Sequence, residues 1–135
     1  MPADAPVNVS FMSVRPLILC ADDDEDILAL VSLRLEKAGY EVACVGDGDS
    51  AVAVAQERQP DAVVLDVMLP RRSGIEVLAE LRADPGLSDT KVLLLSARVD
   101  SGDVARGFDA GADAFLAKPF RAGELVARIE QLLVA

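Results

Sequence analysis

The chain has 135 residues, 52% of them apolar, and sets 13 basic against 23 acidic side chains for a net charge of −10. That length suits one domain of roughly 100 to 200 residues, with enough core to fold without a disulfide or metal staple. The acidity argues against direct contact with nucleic acid or an anionic membrane, since phosphates call for clustered Lys and Arg; the complete lack of histidine excludes Ser-His-Asp hydrolysis, H-E-x-x-H zinc sites and phosphohistidine carriage.

Residues 1–15 carry two prolines and no period, which predicts a mobile extension ahead of a folded domain over 16–135. The run LILCA at 17–21 predicts a first strand, and an acidic run, Asp22 to Asp26, follows it. Asp24, Glu25 and Asp26 suit the cap and first turn of a helix. Asp22 and Asp23 abut the strand end. Ile27, Leu30, Val31 and Leu35 recur at helical spacing, with Arg34 and Lys37 in the last turns and Gly39 as the stop. Further strands are expected at 41–45, 61–66, 91–96 and 113–117, with helices at 49–58, 74–83 and 101–110. A last helix shows one stripe of Leu125, Val126, Ile129, Leu132 and Leu133. Cys20 and Cys44 lie inside apolar runs without metal or C-x-x-C spacing, and read as buried thiols of a reducing cytosol. No run of about 18 apolar residues and no secretory segment is present, so a cytoplasmic location without a membrane partner is expected.

Short, mostly unbroken apolar strands alternating with helices predict a doubly wound α/β sandwich, flavodoxin-like, with parallel sheet order 2-1-3-4-5. In that order the crevice lies beyond the carboxyl ends of strands one and three. Asp22 and Asp23 follow strand one and Asp66 ends strand three, while Ser96 and Lys118 close strands four and five. Taken singly, Asp66 is a turn former before Pro70 and Gly74, Ser96 an ordinary hydroxyl and Lys118 a solvated charge. Together they are a different matter. Three neighbouring carboxylates repel by about 1 to 4 kcal/mol per pair, and a hard cation with oxygen ligands, Mg2+ above all, relieves that repulsion while leaving room for a phosphoryl oxygen.

LILCADDDEDI, VVLDVMLPRRSG, VLLLSAR and GADAFLAKPF, in this order and spacing, resemble the segments of response regulator receiver domains of two-component systems. The resemblance covers about residues 16–134. It implies that Asp66 is the phosphoacceptor, phosphorylated by a sensor histidine kinase or a His-phosphotransfer protein. It implies Mg2+ as cofactor, with Mn2+ as an alternative, held by Asp23, Asp66 and the Met68 backbone carbonyl, with Asp22 acting through water. Lys118 and Ser96 would bind phosphoryl oxygens, the Lys118–Pro119 bond would be cis, and Phe115 would be the aromatic partner of Ser96 in switching. The output surface would be helix four, strand five and helix five, toward an unidentified downstream protein, with homodimerisation through the same face as a further expectation. No enzymatic role is implied beyond self-catalysed phosphotransfer and autodephosphorylation.

Two rivals share parts of this pattern. A haloacid-dehalogenase-like phosphatase needs a second Asp two positions after its nucleophile, where this chain has Met68. A flavodoxin-like flavin binder needs a hydroxyl-rich loop after strand one, where Asp22 to Asp26 would repel the flavin phosphate. The chain departs from the family at Arg71 and Arg72, where a Gly and a small or apolar residue are usual; the two cations either contact the kinase or are simply solvated, and solvation is the expectation favoured. Met68 and Arg98 are expected to border the route of an attacking water. The sequence runs to the end of the last helix, which fits either a stand-alone receiver or a fragment of a longer regulator.

Overall fold

The structure, a computed structural model, describes residues 15–97 and 101–134. The expected extension, residues 1–14 of it, and Arg98 lie outside the described residues. In chain order the elements are β1 (Leu17–Ala21), α1 (Glu25–Lys37), β2 (Glu41–Val45), α2 (Gly48–Arg58), β3 (Ala62–Asp66), α3 (Gly74–Ala83), β4 (Lys91–Ser96), α4 (Ser101–Asp109), β5 (Ala114–Ala117) and α5 (Ala122–Val134). The strands form one parallel sheet in the order β2-β1-β3-β4-β5, the order the sequence pattern predicts.

The strands are apolar throughout because alternate side chains serve two cores. Ile18, Cys20, Val64, Leu93 and Leu95 point to one face, where α1 (Val31, Leu35) and α5 (Leu125, Ile129) cover them. Leu19, Ala21, Val63, Leu65, Val92 and Leu94 point to the other, against Ala51, Val52 and Ala55 of α2 and Val77, Leu78 and Leu81 of α3. Sheets covered on both faces lose the in-out alternation of half-exposed ones. β1 and β3 are buried along their whole length.

Local signals set the helix ends. Asp24 caps α1, its carboxylate accepting from the amides of Asp26 and Ile27, and Gly39 takes φ +104 just past the helix, a conformation glycine adopts without strain. Ser73 and Glu76 form a reciprocal capping box at the start of α3. Asp47 caps α2, whose first turn begins one residue earlier than expected.

Two expectations of burial need correction. Cys44 is exposed, whereas Cys20, its register partner on β1, is buried. β2 is an edge strand, with no neighbour beyond it among the described residues, and its residues are only partly covered. Leu30, placed on the core stripe of α1 by its spacing, is 49% exposed and lines a surface groove instead. No helix among the described residues is long and apolar enough to cross a membrane.

Candidate functional site

The sheet order puts the carboxyl ends of β1 and β3 side by side, with chain leaving in opposite directions toward β2 and β4. Asp22 stands at the first end. Its amide continues the β1–β2 ladder by donating to the Val45 carbonyl at 3.2 Å, which holds the residue in strand geometry, and its Oδ1 accepts from the Asp24 amide at 2.9 Å. Asp66 is the last residue of β3, and its Oδ1 accepts from the Met68 amide at 3.1 Å. Both aspartates are almost fully buried, whereas Asp23 is exposed. One oxygen from each of Asp22, Asp23 and Asp66 lies within 4.8 Å of the others.

Lys118 reaches this cluster from the end of β5. Its amide donates to the Ser96 carbonyl at 2.8 Å, and the peptide bond to Pro119 is cis. Its Nζ lies 2.8 Å from Asp22 Oδ2 and 2.9 Å from Asp66 Oδ2. Burial of the ammonium is the largest influence on its pKa and acts downward, but hydrogen bonds to Asp22 and Asp66 together with their charges outweigh it and raise the value above the usual lysine range. Lys118 is thus held charged.

One ammonium does not neutralise three carboxylates. Two negative charges are left over at the cluster, taking the ion pairs among the described residues. Asp22 Oδ2 is buried, and beyond its 2.8 Å contact with Lys118 Nζ it has no partner among the described residues, which leaves it acceptor capacity to spare. All-oxygen donors, surplus negative charge and spare acceptor capacity fit a hard divalent cation such as Mg2+, and the exposed Asp23 leaves the site open to solvent waters.

The other residues singled out from the sequence take distinct positions. Ser96 is fully buried at the end of β4, in register with Ala117, the neighbour of Lys118. Met68 is 60% exposed on the β3–α3 loop. Phe115 is half-buried in β5 beside the α2/α3 core, and a Cβ on Gly107 of α4 would touch its ring at 3.7 Å. Arg128 of α5 donates to the Phe115 carbonyl at 3.2 Å. A groove of ≈310 Å³ next to the cluster is lined by Ile27, Leu30, Val31, Ala97, Lys118, Pro119 and Phe120.

Of the two loop arginines, Arg71 is exposed and holds φ +70, a left-handed conformation that costs a non-glycine residue roughly 1 kcal/mol. Arg72 is not free in solvent as expected. Its Nε lies 2.9 Å from Asp49 Oδ1 and its Nη1 2.6 Å from Glu80 Oε1. Neither pairing was readable from the sequence, because both partners sit on other elements at separations that follow no local rule.

The profile of the response regulator receiver domain family matches residues 18–130. Among characterised proteins, the chain is 46% identical over 118 residues to the DNA-binding dual master transcriptional regulator RpaA of Synechocystis, covering 87% of this chain and 49% of RpaA. It is 40% identical over 121 residues to the DNA-binding response regulator MtrA of Mycolicibacterium smegmatis, covering 90% of this chain and 52% of MtrA. The chain therefore spans about half the length of these relatives. Among solved structures, the chemotaxis response regulator CheY4 of Vibrio cholerae superposes with a TM-score of 0.84 at 31% identity, covering 89% of this chain and all of that one.

Proposed function

The chain belongs to the response regulator receiver domain family, and on that premise we propose that residues 16–135 form a phosphorylation-dependent signalling switch whose phosphoacceptor is Asp66. The observation that carries the reading is the meeting of Asp66 with Asp22, Asp23 and Lys118 at the carboxyl edge of the sheet. A carboxylate oxygen of Asp66 attacks the phosphorus of a phosphohistidine on a sensor histidine kinase or phosphotransfer protein. The O–P bond forms as the N–P bond breaks in line, and the bonding pair leaves on the imidazole nitrogen. Held by Asp23, Asp66 and the Met68 carbonyl, with Asp22 acting through water, Mg2+ or Mn2+ would neutralise charge on the transferring group.

The protein's own part is positioning and charge. The Asp66 oxygen is fixed by the Met68 amide, and Lys118, already charged and aimed at Asp66, is set to exchange that contact for one with a phosphoryl oxygen. The Ser96 hydroxyl donates to another. Hydrolysis of the acyl phosphate by water returns Asp66 to its resting form, so the activity is self-modification rather than turnover of a separate substrate.

Phosphorylation brings a charge of about −1.5 to −2 and three strong acceptors, and it shifts the domain only through contacts that differ between two arrangements. Movement of Ser96 toward the phosphoryl group vacates space that Phe115 then fills, repacking α4, β5 and α5. That face, where Phe108 is 48% exposed, would receive a downstream protein or a second copy of the chain. The relatives' names carry DNA binding; for this acidic chain we assign any DNA contact to another segment or partner, and place the switch in the cytoplasm. Amide hydrogen exchange with and without Mg2+ and beryllofluoride, a phosphoryl mimic, tests the switch. Changed exchange across residues 97–122 is expected in the wild type and not in Asp66→Asn, and no change across that range would overturn it.

A further inference from the structure

The loop from Val67 to Ser73 carries the Met68 backbone and returns the chain from Asp66 to α3. Two short contacts close it on itself: the Gly74 amide donates to the Val67 carbonyl at 2.9 Å and the Arg72 amide to that of Pro70 at 2.8 Å. The start of α2 presses against its outer side. The Gly48 amide donates to the Pro70 carbonyl at 3.0 Å, and a Cβ on Gly48 would lie 2.3 Å from the Arg72 carbonyl oxygen. The inner side is equally tight, since a Cβ on Gly74 would stand 2.4 Å from the Asp66 carbonyl oxygen. The loop is therefore a thin layer between α2 and the phosphoacceptor strand, and a displacement of one edge reaches the other.

Across this layer runs Arg72, whose guanidinium bridges Asp49 in the first turn of α2 and Glu80 in the middle of α3. We propose that Arg72 is a positioning residue for the metal-assisted phosphoacceptor site: by tying the β3–α3 loop to both flanking helices it fixes where the Met68 carbonyl and Asp66 stand relative to Asp22 and Asp23. This rests on the reading of Asp66 given above. The strained backbone of the adjacent Arg71 is consistent with a loop whose path is set by its anchors rather than by its own preferences. The two ion pairs are partly solvent-exposed, with side-chain exposures of 37% for Arg72, 52% for Asp49 and 42% for Glu80, so their hold weakens as salt screens them.

The test is calorimetric Mg2+ titration of the wild type, Arg72→Met, which keeps the bulk, and Arg72→Lys, together with amide exchange of residues 67–74 in metal-free protein. Arg72→Met is expected to bind Mg2+ about three- to tenfold more weakly and to exchange faster at the Gly74 amide, with Arg72→Lys between it and the wild type. The ratio of affinities should shrink toward one in molar salt. Should Arg72→Met fail to fold, Asp49→Asn and Glu80→Gln remove each pair from the far side without touching the loop and are expected to weaken Mg2+ binding in the same direction. Equal affinities and equal exchange in every variant overturn the role of Arg72 while leaving the phosphoacceptor reading in place; a wild type that binds no Mg2+ overturns the phosphoacceptor reading itself.

Discussion

Lys118 is the cation, among the described residues, that both buried aspartates face. Replacing it with Met leaves two desolvated carboxylates uncompensated, and we expect Lys118→Met to lose about 3 kcal/mol of stability in chemical denaturation without divalent cation. Asp23 behaves oppositely. It is exposed and crowds the two buried carboxylates, to within 4.8 Å, so Asp23→Asn should stabilise metal-free protein by about 1 kcal/mol and remove the shift in melting temperature that added Mg2+ gives the wild type. Loss of stability in Asp23→Asn would contradict the picture of an overcharged cluster. The gathering of Asp22, Asp23, Asp66 and Lys118 was legible in the sequence because each follows directly on an apolar strand, and parallel strands align their ends. The ion pairs of Arg72 were not legible. Charge alone does not tell which of the many acids of the chain a surface arginine will meet, and a cation flanked by turn formers ordinarily lies in water.

Helices and strands owe their places to short-range signals, with tertiary contact deciding the details. Gly48 illustrates the division. As the first helical residue after the Asp47 cap it has no conformational need of glycine, yet a methyl group there would collide with the Arg72 backbone at 2.3 Å. Gly48→Ala is expected to destabilise the fold by about 1–2 kcal/mol despite the better helix propensity of alanine. Gly46, where an added Cβ meets nothing within 4 Å, should tolerate alanine within about 0.5 kcal/mol; paired urea melts of the two variants check both statements. The element pattern was readable because apolar runs and helical stripes are local. The burial of Cys44 was misjudged because its run is as apolar as that of Cys20, although the predicted sheet order already put β2 at an edge, where no strand beyond it, among the described residues, covers the thiol.

For the whole molecule, the two-faced sheet explains both why it folds without a staple and how it responds to pH. Burial raises the Cys20 thiol far above its ordinary 9.0, with Cys44 and Asp22 adding to the effect; Lys118 is raised by its aspartate partners against the pull of burial. Groups whose pKa is higher in the folded state lend stability that is complete below their unfolded values and fades as pH climbs toward the folded ones. Stability should therefore hold up to about pH 8 and fall above about pH 9, with a shallower fall in Cys20→Val; an identical alkaline limb in the two proteins would count against buried Cys20 as a cause. The central claim is chemical, that the sheet's carboxyl edge makes Asp66 a phosphoryl acceptor, and intact mass spectrometry after exposure to a small phosphodonor with Mg2+ tests it most directly. The prediction is a single phosphoryl adduct, labile to acid and base, on the wild type and none on Asp66→Asn; an adduct of equal abundance on both proteins, or on neither, would contradict it.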